Sequence, residues 1–159
     1  MANTQSMCTS FLGELFSATH NFSSANPAQT ASTANTFKGA LYLTSATLNA
    51  STTVYSSTGE VTGTNYTAGG VTITNATNPA STNSSTTAGV GYWTPSASVT
   101  YTNVTLSTAF DTMLMYNSSQ SNKAVAVFTF GSQTITAGNF TLTMPSNTTT
   151  TALLRLSTT

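Results

Sequence analysis

The clearest pattern of apolar and polar positions lies in the last third of the chain. Thr112–Tyr116 (TMLMY) and Lys123–Phe130 (KAVAVFTF) are apolar runs on either side of the polar segment Asn117–Asn122 (NSSQSN). That spacing predicts a β-hairpin. Just upstream, Ser98–Ser107 alternates Val99, Tyr101, Asn103 and Thr105 with Thr100, Thr102, Val104 and Leu106. A period of two is the signature of a strand with two unlike faces. Phe37–Ser45 (FKGALYLTS) repeats it, with Phe37, Gly39, Leu41 and Leu43 on one face and Lys38, Ala40, Tyr42 and Thr44 on the other. Shorter strands are predicted at Val71–Asn75, Phe140–Met144 and Ala152–Leu156. Thr52–Gly70 is rich in Gly and Thr and reads as loop and short ribbon, and Asn78–Gly91 reads as a long polar excursion. Short strands, frequent turn signals and abundant Thr and Val predict an antiparallel β-sandwich or jelly roll. No βαβ alternation argues for a parallel sheet.

The first 36 residues follow a different rhythm. Residues 1–8 read as a loose arm. Phe11, Leu15, Ala18 and Phe22 fall on one helical stripe, which Leu12 and Phe16 widen, so a short helix is predicted over Phe11–Asn21. Ser10 is placed to cap it, with Glu14 in its first turn. Five large apolar groups cannot stay in water, because burying each is worth roughly 1.5–3 kcal/mol. The helix must dock on its own domain or on a neighbouring subunit. A linker, Ser23–Thr36, separates it from the first strand, and a coil of that length spans on the order of 20 Å. The expected organisation is therefore an arm, helix and linker over 1–36 and a β-sandwich over 37–159.

Composition removes several classes of function. Thr, Ser and Asn number 37, 22 and 14 of 159 residues, whereas Lys plus Arg and Asp plus Glu are three each. Three cationic side chains cannot pair many phosphates, so neither nucleic-acid binding nor a polybasic membrane contact is expected. His20 and Cys8 are the only residues of their kinds. That leaves no metal cluster, no internal disulfide and no expected cofactor. Net charge is zero, which favours association. Residues 1–20 hold no Lys or Arg, so a secretory leader is not expected and the chain reads as made in the cytoplasm. The Asn-x-Ser/Thr sequons read as a product of composition, with glycosylation as the alternative.

The few ionisable groups do not form a catalytic pattern, and an enzyme is not expected. Cys8, His20 and Glu14 are spaced off a common helical face, Asp111 reads as a turn or strand-end residue, and Glu60 as a solvated loop carboxylate or a contact between subunits. Trp93 beside Tyr92 reads as a core or interface anchor, with stacking on sugar as the alternative. Phe11, Leu12, Leu15, Phe16, Phe22, Tyr92 and Trp93 are the candidate interface residues.

Four segments resemble, in order, a family of small virion structural proteins of tailed bacteriophages: Met7–Phe22, Phe37–Gly70, Met113–Pro145 and the LLRL tail at Leu153–Leu156. The resemblance covers about two thirds of the chain, and Asn78–Gly91 departs from it. It implies a particle component with no catalytic residues to carry over. The role expected from it is a capsid decoration (cement) protein on the outer shell. Its partner would be the major capsid protein, and its state a homo-oligomer, with a trimer suited to a local symmetry axis. The alternative is a tail, neck or fibre module that binds a receptor or carbohydrate.

Overall fold

The hairpin around Asn117–Asn122 is the centre of the fold, and it is far longer than the pattern predicts. A computed structural model describes residues 2–23, 34–74, 76–82 and 89–158. In chain order the elements are β1 (Ser6–Met7), α1 (Thr9–Phe16), β2 (Phe37–Leu43), β3 (Val71–Ile73), β4 (Ala80–Ser81), β5 (Val90–Trp93), β6 (Val99–Asn117), β7 (Lys123–Leu142) and β8 (Leu154–Ser157). The expected strands Ser98–Ser107 and Thr112–Tyr116 are one strand, β6, and Lys123–Phe130 and Phe140–Met144 are joined in β7. Register shifts between Tyr101 and Thr112 let the strands stay paired through stretches where the alternation breaks. Asn103 and Ala137, at φ 50° and 46°, absorb that irregularity on facing strands.

The architecture is mainly β and sandwich-like: two antiparallel sheets and one short helix. The larger sheet has the order β1-β7-β6-β2-β3 and the smaller β4-β5-β8. Trp93 of the smaller sheet packs on Phe22 and Phe37, which are stacked with ring centroids 4.4 Å apart. A second aromatic group, Phe110, Phe130 and Phe140, fills the far end of the hairpin.

β2 is buried on both faces rather than one, since Phe37 and Leu41 are buried and so are Ala40 and Tyr42. Beyond its pairing with β3, the edge of β2 is taken up by residues 52–70, expected as loop and ribbon. Leu43 N–H donates to Gly59 O, and Val61 N–H donates to Leu41 O. Glu60, expected in solvent, is 6% exposed. Its carboxylate accepts hydrogen bonds from Tyr55 OH (2.6 Å), Tyr66 OH (2.7 Å) and Gly69 N–H (2.8 Å). Three donors replace the water it loses, which is the condition for burying such a group. Burial and these bonds push the phenol pKa values of Tyr55 and Tyr66 far up, so both stay donors.

The N-terminal arm is woven into the domain. Thr4 N–H donates to Leu48 O, Asn3 Nδ2 donates to Leu43 O and to Asp111 Oδ1, and β1 pairs with β7. Asp111 lies inside β6 and not at a strand end. The helix runs over Thr9–Phe16, earlier and shorter than predicted. Cys8 is the N-cap residue and its N–H donates to Val125 O, so pairing to the sheet sets where the helix starts. Ser10 lies within the helix and caps nothing, and Glu14 is outside the first turn. Most of the expected linker, residues 24–33, and part of the 78–91 excursion, residues 83–88, fall outside the described residues.

Candidate functional site

Ala18 takes a left-handed conformation, φ 53°, and turns the chain back after the helix. This reversal puts His20 beside Glu14, a contact that helical spacing did not provide. His20 Nε2 lies 2.7 Å from Glu14 Oε2, and Lys123 Nζ donates to Glu14 Oε1. Asn117 Nδ2 donates to His20 Nδ1 (3.1 Å), so the imidazole proton sits on Nε2 and is given to Glu14. Phe22 then meets Phe11 edge to face at 5.9 Å.

Between this turned segment and the smaller sheet lies an apolar groove of about 310 Å³. Phe11, Leu15, Phe22, Tyr92 and Trp93 line it, so five of the seven candidate interface residues are brought together. Leu12 and Phe16 are outside its lining, and both are exposed, at 41% and 95%. Among the described residues nothing buries them, because the helix ends at Phe16 and only its other side meets the sheet. Trp93 is a core residue, 3% exposed, whose indole N–H donates to Thr77 O at 2.8 Å. Sequence reasoning missed Met7, His20, Leu154 and Leu156, which also line the groove. The LLRL alternation was the available signal for the two leucines: Leu154 pairs with Trp93 and Leu156 with Gly91.

Burial, with a smaller push from Glu14, raises the Cys8 thiol to about 11, so it stays protonated. Burial opposes ionisation of Glu14, yet the bonds from Lys123 and His20 outweigh it and hold its pKa below 4.5. Burial lowers the His20 pKa below 6.5, with Lys123 adding to that and Glu14 opposing it. Among the described residues no group of three or more His, Cys, Asp or Glu is placed to hold a metal ion.

Both shifts destabilise the fold in acid. The unfolded chain binds the His20 proton more readily, so stability falls as pH drops below 6.5 towards the lower folded pKa. Glu14 adds a second loss below 4.5. Thermal melts against pH are expected to show both limbs, and His20→Gln to remove the upper one only. A melting temperature unchanged by that variant across the upper limb would refute this account.

Comparison with protein-family models, curated proteins and solved structures returns no match.

Proposed function

We propose that the protein is a structural component of a bacteriophage particle, a decoration protein that binds the outer face of an icosahedral capsid and stabilises it. Its partner is the major capsid protein, and it resides on the virion after synthesis in the host cytoplasm. The resemblance of its four segments to virion structural proteins suggests the role. The observation that carries it is how the fold disposes of its few charges. Glu60 is buried, Glu14 pairs with Lys123, and Asp111 accepts bonds from Asn3 and Thr112. Apart from Arg155 and the apolar Leu12, Phe16, Val54 and Leu156, the exposed side chains of the described residues are mostly hydroxyls and amides, with little charge to desolvate when the surface docks on another protein. Many weak contacts of this kind sum over a shell.

The competing tail or fibre reading needs an aromatic platform for sugar, and Trp93 is covered by Phe22 and Phe37. Copy number separates the two. Quantitative mass spectrometry of purified particles is expected to find on the order of hundreds of copies of the chain, as repeated weak docking requires. Its absence from particles, or a few to a few dozen copies, would overturn the decoration role.

A further inference from the structure

The long strand β7 is fully partnered on one side only. Its inner edge pairs with β6 along its length, whereas its outer edge pairs with β1 at Ala126 and Val127 alone. From Phe128 to Leu142 no strand among the described residues takes up the outward backbone groups. The side chains record the same gap. Val99, Tyr101 and Leu106 of β6 are at most 2% exposed, yet their partners across the ladder, Leu142, Phe140 and Ile135, are only partly buried. Cross-strand partners share a face, so these β7 residues point at the same core and stay open on the side where a next strand would lie. Natural sheets blunt such an edge with Lys, Pro or an inward-pointing charge. Residues 124–142 contain no Asp, Glu, Lys, Arg or Pro.

We infer that β7 of a second copy completes this edge, the two strands pairing antiparallel about a two-fold axis at Thr134 so that two five-stranded sheets form one. A strand edge is its own complement, because its row of N–H and C=O groups meets the same row reversed. An axis perpendicular to the sheet keeps the core-facing side of both copies together, so Ile135 and Phe140 of each extend the apolar row of the other. Such an axis also sets one residue opposite its own copy, because side chains alternate between faces. The irregularities of β7 select that residue. Counted against β6, β7 carries extra residues between Thr129 and Gln133 and between Ile135 and Gly138. Bulges can also blunt an edge, but Thr134 lies between these two, and an axis there sets each irregular stretch against the other. The edge from Phe128 to Phe140 is about 40 Å long and about 10 Å deep, so pairing buries on the order of 500 Å² per copy, close to the roughly 1,000 Å² in total that a specific interface needs. No charge on either edge is desolvated, and with net charge zero the copies do not repel one another at long range. The opposite edge of the sheet, β3, is only Val71–Ile73, so the sheet closes at two copies rather than growing. The pairing goes beyond the virion role and does not rest on it. It yields a dimer, where docking at a local symmetry axis led to the expectation of a trimer.

The test is the mass of the purified full chain by light scattering, with two variants. The wild type is expected at twice 16.4 kDa. Thr134 is exposed in the single copy, so Thr134→Lys leaves that fold intact, with an unchanged circular dichroism spectrum. In the dimer it sets two like charges directly opposite, and self-association should weaken at least about tenfold. Thr134→Cys tests the register. Facing residues of an antiparallel pair have Cα atoms about 4.5–5.5 Å apart, within the roughly 4.4–6.8 Å that a disulfide spans, so mild oxidation should link the copies covalently. Thr102→Cys, equally exposed but on β6, should stay unlinked, and the buried, protonated Cys8 does not compete. A wild type that is monomeric up to its solubility limit overturns the proposal, as does a trimer or a dimer indifferent to Thr134→Lys. Linking of Thr134→Cys no faster than that of Thr102→Cys overturns it equally. Copy number on particles is a separate measurement, so failure of the dimer leaves the decoration role standing and the reverse holds equally.

Discussion

Glu60→Ala is expected to destabilise the protein by about 2–5 kcal/mol, the cost of leaving buried hydrogen-bond donors without an acceptor. The side chain collects Tyr55 OH, Tyr66 OH and Gly69 N–H at one point. Alanine would leave the Gly69 N–H buried and Tyr66 OH half-buried with nothing to accept them, while partly exposed Tyr55 can turn to water, and each buried unsatisfied donor costs about 1–3 kcal/mol. The loss extends beyond the cluster. Tyr66 OH also accepts from Leu41 N–H, so the carboxylate, through Tyr66, helps tie residues 52–70 to β2. Against a typical total stability of about 5–15 kcal/mol, the change removes a large share. Glu60→Gln keeps one acceptor, Oε1, for Tyr66 OH and Gly69 N–H, while its Nε2–H donates to Tyr55 OH once that hydroxyl turns away, and the variant should lose only about 1–2 kcal/mol. Urea denaturation of the three proteins measures this. Equal midpoints for wild type and Glu60→Ala would show that the cluster contributes nothing.

Gly70→Ala should be nearly as damaging, by at least about 3 kcal/mol, through steric overlap and backbone strain. Gly70 has φ +70°, and a Cβ there would stand 1.7 Å from Gly39 O and 2.8 Å from Ala40 Cα. Both obstacles are backbone of β2, a central strand that cannot step aside without breaking its pairing to β6. The neighbouring bonds depend on this close approach: Tyr101 OH donates to Gly39 O, and Tyr116 OH donates to Gly69 O. Chemical denaturation and the soluble yield of the variant report the effect. A midpoint within about 0.5 kcal/mol of wild type, the range of an ordinary surface substitution, would show that the contact is loose.

The sequence by itself determined the class of the fold. The alternation in Phe37–Ser45 and Ser98–Ser107 and the hairpin at Asn117–Asn122 are local patterns, and strand periodicity survives because side chains must point to opposite faces wherever the chain is extended. That Phe11, Leu15, Phe22, Tyr92 and Trp93 need dry surroundings was legible for a similar reason, since large apolar side chains leave water, but that they share one groove was not. Tertiary structure alone decided the rest. Nothing near Glu60 in the chain announces a buried carboxylate, because its cage is assembled from Tyr55, Tyr66 and Gly69 only when residues 52–70 fold back on β2. Nothing near Glu14 announces His20 and Lys123, because one left-handed residue, Ala18, and the pairing of β1 with β7 create that contact. The continuity of β6 and β7 through their irregular middles was hidden too, since each strand holds the other in register across bulges where the alternation breaks. Periodicity is a property of neighbours along the chain, whereas cages, ion pairs and bulge tolerance depend on which distant segments the fold sets side by side.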